Sequence, residues 1–165
     1  MLKQVSRWGV QAMLARLDEQ SVIKANEQFW EQMLAMKLET LSCAEEPQLG
    51  AEHLSGSVML SGAWTGLIEV RLACGLAYQA TAAMMMQALE SVVETDALDA
   101  TREIANMIAG TIKSSLPRPC SMSVPNAAVK RESFCVPPPA DTLLVSFRHA
   151  SGDLTVRVFE QECTA

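Results

Sequence analysis

The chain has 165 residues, 49% of them apolar, with 13 lysines and arginines against 19 aspartates and glutamates and a formal net charge of −6. That length and apolar content suit one compact domain that needs no disulfide or metal to hold it together. The acid excess argues against a nucleic-acid binder and against a role on anionic membranes, both of which depend on clustered basic side chains. Charged content of only 19% argues against disorder. With aromatics at 5% and 10 methionines, the core is expected to be aliphatic and thioether.

Residues 1–20 read as a short helix or leader with Leu2, Val5, Trp8, Met13, Leu14 and Leu17 as its apolar positions. Gln11 and Arg16 interrupt the stretch and no small-residue cleavage site follows, so it is not read as an export signal. The reading is a single domain over 1–165, with 1–24 as a peripheral N-terminal helix. A second helix is expected over Asn26–Leu38, where Phe29, Trp30, Met33 and Leu34 show mixed three-and-four spacing and Asn26 would cap the start.

Beyond the breaker-rich stretch Pro47–Gly50 the period changes. His53–Leu60 and Leu67–Leu72 are Val-, Leu- and Ile-rich segments separated by Ser61-Gly62-Ala63-Trp64-Thr65-Gly66, which reads as a β-hairpin. Leu72–Leu89 carries no charge and approaches the length of a membrane span. Gly75, Gln79, Thr81 and Gln87 interrupt it and alanine dominates the rest, so a buried helix over Leu76–Leu89 is the better reading. Another helix is expected over Asp96–Leu116, with Thr95 as N-cap, Asp96 and Asp99 near the positive end of the dipole, and Pro117 and Pro119 beyond its end.

Strands return in the last third: Met122–Val124, Ala127–Lys130, then Thr142–Arg148 and Leu154–Phe159 after the loop at Pro137–Pro139. The last two alternate cleanly and are joined through Ser151-Gly152-Asp153. The order of elements is α+β, a mainly antiparallel sheet with helices packed on one face.

Five scattered cysteines (Cys43, Cys74, Cys120, Cys135 and Cys163) form no C-x-x-C pair. That argues against a disulfide framework or zinc site and for reduced thiols in a cytoplasm. His53 and His149 stand beside strand-like segments and read as structural. The Met84-Met85-Met86 run reads as part of a core helix, while Trp64 could face outward or fold back.

The most informative segment is Asp99-Ala-Thr-Arg102-Glu103-Ile-Ala-Asn106-Met-Ile-Ala-Gly110-Thr-Ile-Lys113. At ~100° per residue on a helix, Asp99, Arg102, Glu103, Asn106, Gly110 and Lys113 fall within an arc of roughly 120°. The rest of the circumference is largely apolar. A mid-helix glycine costs about 1 kcal/mol relative to alanine, so Gly110 wants a reason. One is close approach of another surface. Taken alone, such a strip reads as the solvated face of an amphipathic helix.

The glycine-bounded hairpin, the uncharged helix and then E-I-A-N-M-I-A-G-x-x-K resemble the CheC/CheX family of chemotaxis phosphatases over roughly residues 53–160. The family signature combines an acidic or serine residue with Glu and Asn, here Asp99, Glu103 and Asn106, and Gly110 and Lys113 match its continuation. No other glutamate is followed by Asn three residues later, which is closer to the single-motif CheX-like members. The family's distal proline normally lies further downstream than Pro125, so the connection after Lys113 is shortened here.

The resemblance implies a phosphatase that hydrolyses the phosphoaspartate of a CheY-like response regulator. Asn106 would position water and Glu103 would anchor the regulator's lysine, with Asp99, Gly110 and Lys113 as partner-contacting positions. Asp99 is read mainly as favouring the helix start. No cofactor is expected in this chain; magnesium would sit on the partner. A cytoplasmic homodimer is implied as well. The alternative is a non-catalytic interaction or dimerisation module of the same fold, and a third reading is an effector-binding domain walled by the methionine-rich helix.

Overall fold

The computed structural model describes residues 17–131 and 142–161. The leader at residues 1–16 and the Pro137–Pro139 loop lie outside the described residues. In chain order the elements are α1 (Glu19–Glu27), a π-helical turn (Gln28–Met33), β1 (Glu39–Thr40), β2 (Glu52–Gly62), β3 (Gly66–Ala73), α2 (Cys74–Met85), a 3₁₀ turn (Leu89–Ser91), α3 (Glu94–Lys113), β4 (Cys120–Met122), β5 (Asn126–Arg131), β6 (Thr142–Arg148) and β7 (Leu154–Glu160).

The seven strands form one antiparallel sheet in the order β1-β6-β7-β3-β2, and β4 and β5 share the outer edge of β2. Side chains alternate across a strand, so register decides what each face presents. Leu54, Gly56 and Val58 of β2 lie opposite Leu72, Val70 and Ile68 of β3. These in turn face Leu154, Val156 and Val158 of β7, and Val145 and Phe147 of β6 continue the row. This face is buried with Val22, Ala25 and Trp30 of the α1 region, Leu76 of α2, and Ile104, Ile108 and Ile112 of α3 in one core. The opposite face is polar. Ser55 Oγ donates to Glu69 at 2.9 Å, and Arg71 and Arg157 approach the same carboxylate at 3.2 and 3.4 Å. The α+β architecture with helices on one side is therefore the one expected from the order of elements.

The expected hairpin is β2–β3, and Trp64 in its turn folds back into the core with 3% exposure. Gly66 permits this, because a Cβ there would lie 2.4 Å from the indole ring.

Three local expectations need correction. The first helix begins at Glu19, not Asn26: Asp18 accepts from the Ser21 N–H at 2.8 Å and from its hydroxyl at 2.6 Å, a complete N-cap. Asn26 instead lies buried inside α1 and donates to the Val22 carbonyl at 2.9 Å, so Glu19–Lys24, grouped with the leader by sequence, belong to α1. Thr95 does not cap α3 either. Helical backbone starts one residue earlier, at Glu94, after an extended Val93 that makes no side-chain cap bond. The uncharged helix ends at Met85, where Met86 takes a left-handed conformation with φ of 50°. Met85 and Met86 are consequently exposed rather than core, at 45% and 93%. The inner face of α2, with Leu76, Ala77, Ala80 and Thr81, is buried, and no helix among the described residues is long and apolar enough to cross a membrane.

Candidate functional site

Helix α3 is 20 residues long, about 30 Å, and lies across β2. Its position is set by Gly56, where a Cβ would come within 2.7 Å of the Thr101 carbonyl oxygen and 2.9 Å of the Ala105 methyl. Backbone on one side of that contact cannot yield, so helix and strand meet there with no room for a side chain. Ala97, Thr101, Ile104, Ala105, Ile108, Ala109 and Ile112 are buried. With that face committed, Asp99, Arg102, Glu103, Asn106, Gly110 and Lys113 form the outward strip: Asp99 and Glu103 are exposed and the other four half-buried.

Within the strip the side chains divide. Asp99 and Arg102 form an ion pair, an exposed i,i+3 contact of small energetic worth. Asp99 therefore engages Arg102, and it stands in the second turn; the acidic residues of the first turn are Glu94 and Asp96. The favourable interaction with the helix dipole, which fades beyond the first turn, passes from Asp99 to those two. Glu103 and Asn106 differ from Asp99. Among the described residues, neither the Glu103 carboxylate nor the Asn106 amide has a hydrogen bond or ion pair. Three residues apart on a helix they are neighbours. Together they present an acceptor pair and a donor–acceptor amide to solvent.

Gly110 has no reason within the described residues to be glycine. A Cβ there would have only Met122 Sδ within reach, at 4.0 Å. Lys113 closes the helix, where the C-terminal dipole favours a cation. Gly110, Lys113, Ser114, Arg118, Pro119 and Cys120 line a surface groove that continues the strip past the end of α3. Arg118 was not singled out by sequence. Its flanking prolines signal a turn but not the direction in which the chain leaves it.

Other candidate chemistry is quieter. The Cys74 thiol is pushed up mainly by burial and further by the Glu52 carboxylate, and its Sγ donates to the Glu52 carbonyl at 3.3 Å. A thiolate nucleophile is disfavoured there. His149 Nδ1 accepts from the Ser151 N–H at 3.0 Å, within the β6–β7 turn. Among the described residues no group of three or more His, Cys, Asp or Glu gathers to hold a metal ion.

The candidate site is thus an open helical strip, with Glu103 and Asn106 unengaged among the described residues, on the helical side of an antiparallel sheet. The family model Chemotaxis phosphatase CheX matches residues 54–139, just over half of the chain, and the protein belongs to that family. Comparison with curated proteins returned no match. Among solved structures, the chemotaxis protein CheX from Vibrio vulnificus has 14% identity and a TM-score of 0.69, over 87% of this chain and 95% of that one. CheX from Desulfovibrio desulfuricans has 16% identity and a TM-score of 0.66, over 86% of this chain and 97% of that one. The match from the CheX–CheY–BeF3–Mg complex of Borrelia burgdorferi has 17% identity and a TM-score of 0.65, over 89% of this chain and all of that one. At these identities the likeness establishes a shared fold.

Proposed function

We propose that this protein hydrolyses the phosphoaspartate of a CheY-like receiver domain, with Asn106 holding the attacking water and Glu103 anchoring the lysine beside the receiver's phosphoryl group. The observation that carries this reading is the unengaged Glu103–Asn106 pair on the exposed strip of a CheX-family chain. A solved relative in complex with CheY supports the choice of partner.

The chemistry asks little of the protein beyond placement. Water attacks phosphorus, the bond between phosphorus and the aspartyl oxygen breaks, and inorganic phosphate leaves behind a free carboxylate. The transition state is loose, so alignment of the water matters more than a strong base. An amide suits this task, since it accepts from the water through its oxygen and donates through its nitrogen without titrating. Glu103 lies one helical turn away, and a charge-assisted bond to a lysine would fix the register of the two surfaces. The magnesium ion is held by the receiver, and this chain supplies no cofactor. The same reading places the protein in the cytoplasm as a homodimer, which light scattering would test.

Decay of the phosphorylated receiver tests the chemistry. Asn106→Ala is expected to slow the accelerated decay about 100-fold, the order of loss that misplacing a reactant produces, while leaving most of the binding intact. Glu103→Ala is expected to weaken both. Unchanged phosphate release in the double variant would sink the mechanism, and binding without acceleration by the wild type would favour the non-catalytic module.

A further inference from the structure

We infer that the groove at the C-terminal end of α3, framed by Lys113 and Arg118, receives an acidic side-chain cluster of the receiver and so fixes the direction in which the receiver lies along the helix. This rests on the proposed partner and extends it from the reacting centre to the polarity of docking.

The first support is a segregation of charge. In a chain of net charge −6, residues 104–131 contain no aspartate or glutamate. The N-terminal half of α3 carries Glu94, Asp96, Asp99 and Glu103, and its one cation, Arg102, is held by Asp99. The far end carries Lys113 and, across the groove, Arg118. Neither has an ion-pair partner among the described residues. Along α3 and the loop after it the acids lie at one end and Lys113 and Arg118 at the other, with Asn106 between them; the acid that α1 brings to the latter end, Asp18, is engaged by the Ser21 N–H and hydroxyl.

The second support is that the groove is built, not incidental. The Ala63 N–H donates to the Pro119 carbonyl at 2.8 Å. Gly62, with φ of 134°, makes room for that contact, because a Cβ would stand 2.3 Å from the same oxygen. Cys120 pairs with Gly62 in the β2–β4 ladder. The loop bearing Arg118 is therefore tied to the hairpin before any partner arrives, which lowers the ordering cost of binding. Lys113 lies about 10 Å along the helix axis from Asn106, well within the footprint of a standard protein interface. A receiver held only by Glu103 could sit on the strip in either sense. Opposite charges at the two ends select one, since like charges would meet in the other.

Binding of the phosphorylated receiver to the full chain tests this, measured in an Asn106→Ala background that keeps the phosphoryl group in place. Arg118→Glu is expected to weaken binding about 3-fold, and Lys113→Glu with Arg118→Glu about 10-fold at low salt, with the loss shrinking at high salt. Lys37→Glu, which lies outside the groove, controls for net charge and is expected to change little. Acid-to-lysine substitutions on the receiver should restore binding to the double variant. Undiminished binding by a folded double variant, or an equal loss with Lys37→Glu, overturns the inference while the phosphatase reading stands. Normal groove dependence with no decay activity in the wild type overturns the catalytic reading alone; absence of any binding overturns both.

Discussion

Helix α3 presents Ile104, Ala105, Ile108, Ala109 and Ile112 to the sheet and Glu103, Asn106 and Gly110 to its surroundings, and the two faces respond to substitution through different quantities. On the inner face the side chains are buried in the core, so a change is paid in stability and reaches function only by moving the helix. On the outer face the important groups lack partners within the described chain, so a change leaves the fold almost untouched and alters what the helix can meet. The lesson is that the site is recognisable by what its side chains do not do in the isolated chain.

The sharpest way to separate the faces is Ile108→Ala. Ile108 is fully buried, and truncation in such a place costs about 2–5 kcal/mol. Thermal unfolding should shift down by roughly 2–4 °C per kcal/mol, while the activity per folded molecule at low temperature survives. Gly56→Ala attacks the boundary between the faces. The added methyl collides with the Thr101 carbonyl and Ala105, and overpacking of this kind costs about 1–3 kcal/mol. Because the helix must lift to accept it, receiver decay should also slow in the folded fraction. A variant destabilised to this extent with unchanged kinetics would show that the height of α3 is immaterial.

Gly110→Ala is expected to break the comparison in the opposite sense. Nothing in the described chain obstructs the methyl, and helix propensity alone favours it by about 1 kcal/mol. The protein should melt later and yet bind the receiver more weakly; a more stable variant with undiminished binding would leave the glycine without a docking role. The smallest effect belongs to Asp18, the N-cap of α1, which lines a cavity with Thr111, Ser114 and Ser115. Its carboxyl is held below the ordinary value of 3.8, first by the Ser21 hydroxyl and then by the Ser21 N–H. A carboxyl depressed in the folded state contributes stability above its unfolded value and loses it as pH falls through the folded one. The melting difference between wild type and Asp18→Ala should therefore persist at pH 5 and fade under acid below pH 3.8, as thermal scans across that range would show.

Much of this arrangement was legible in the residues themselves. The β2–β3 hairpin and the β6–β7 pair announce themselves through period-two apolar runs and glycine-bearing turns, which are local signals. The strip on α3 follows from spacing alone. The beginning of α1 did not follow, because Asn26 and Asp18 are both good caps in isolation. Only burial shows that Asn26 spends its amide on the Val22 carbonyl inside the helix. The exposure of Met85 and Met86 depends on a left-handed residue ending α2, and a methionine carries no mark of that conformation. Glu103 and Asn106 were visible as a spacing, but their lack of partners is a property of the packed chain. Arg118 reaches the end of α3 only after the chain has turned and fastened to Ala63, a contact between residues distant in sequence.

Gly56 also bears on how such a surface could be transplanted. It contributes no atom to the strip, yet the depth at which α3 rests on the sheet is set by its missing side chain. A designer who moved the helix alone onto another antiparallel sheet would carry over the polar groups and lose their elevation. The portable unit is the helix together with the strand that has a gap beneath it.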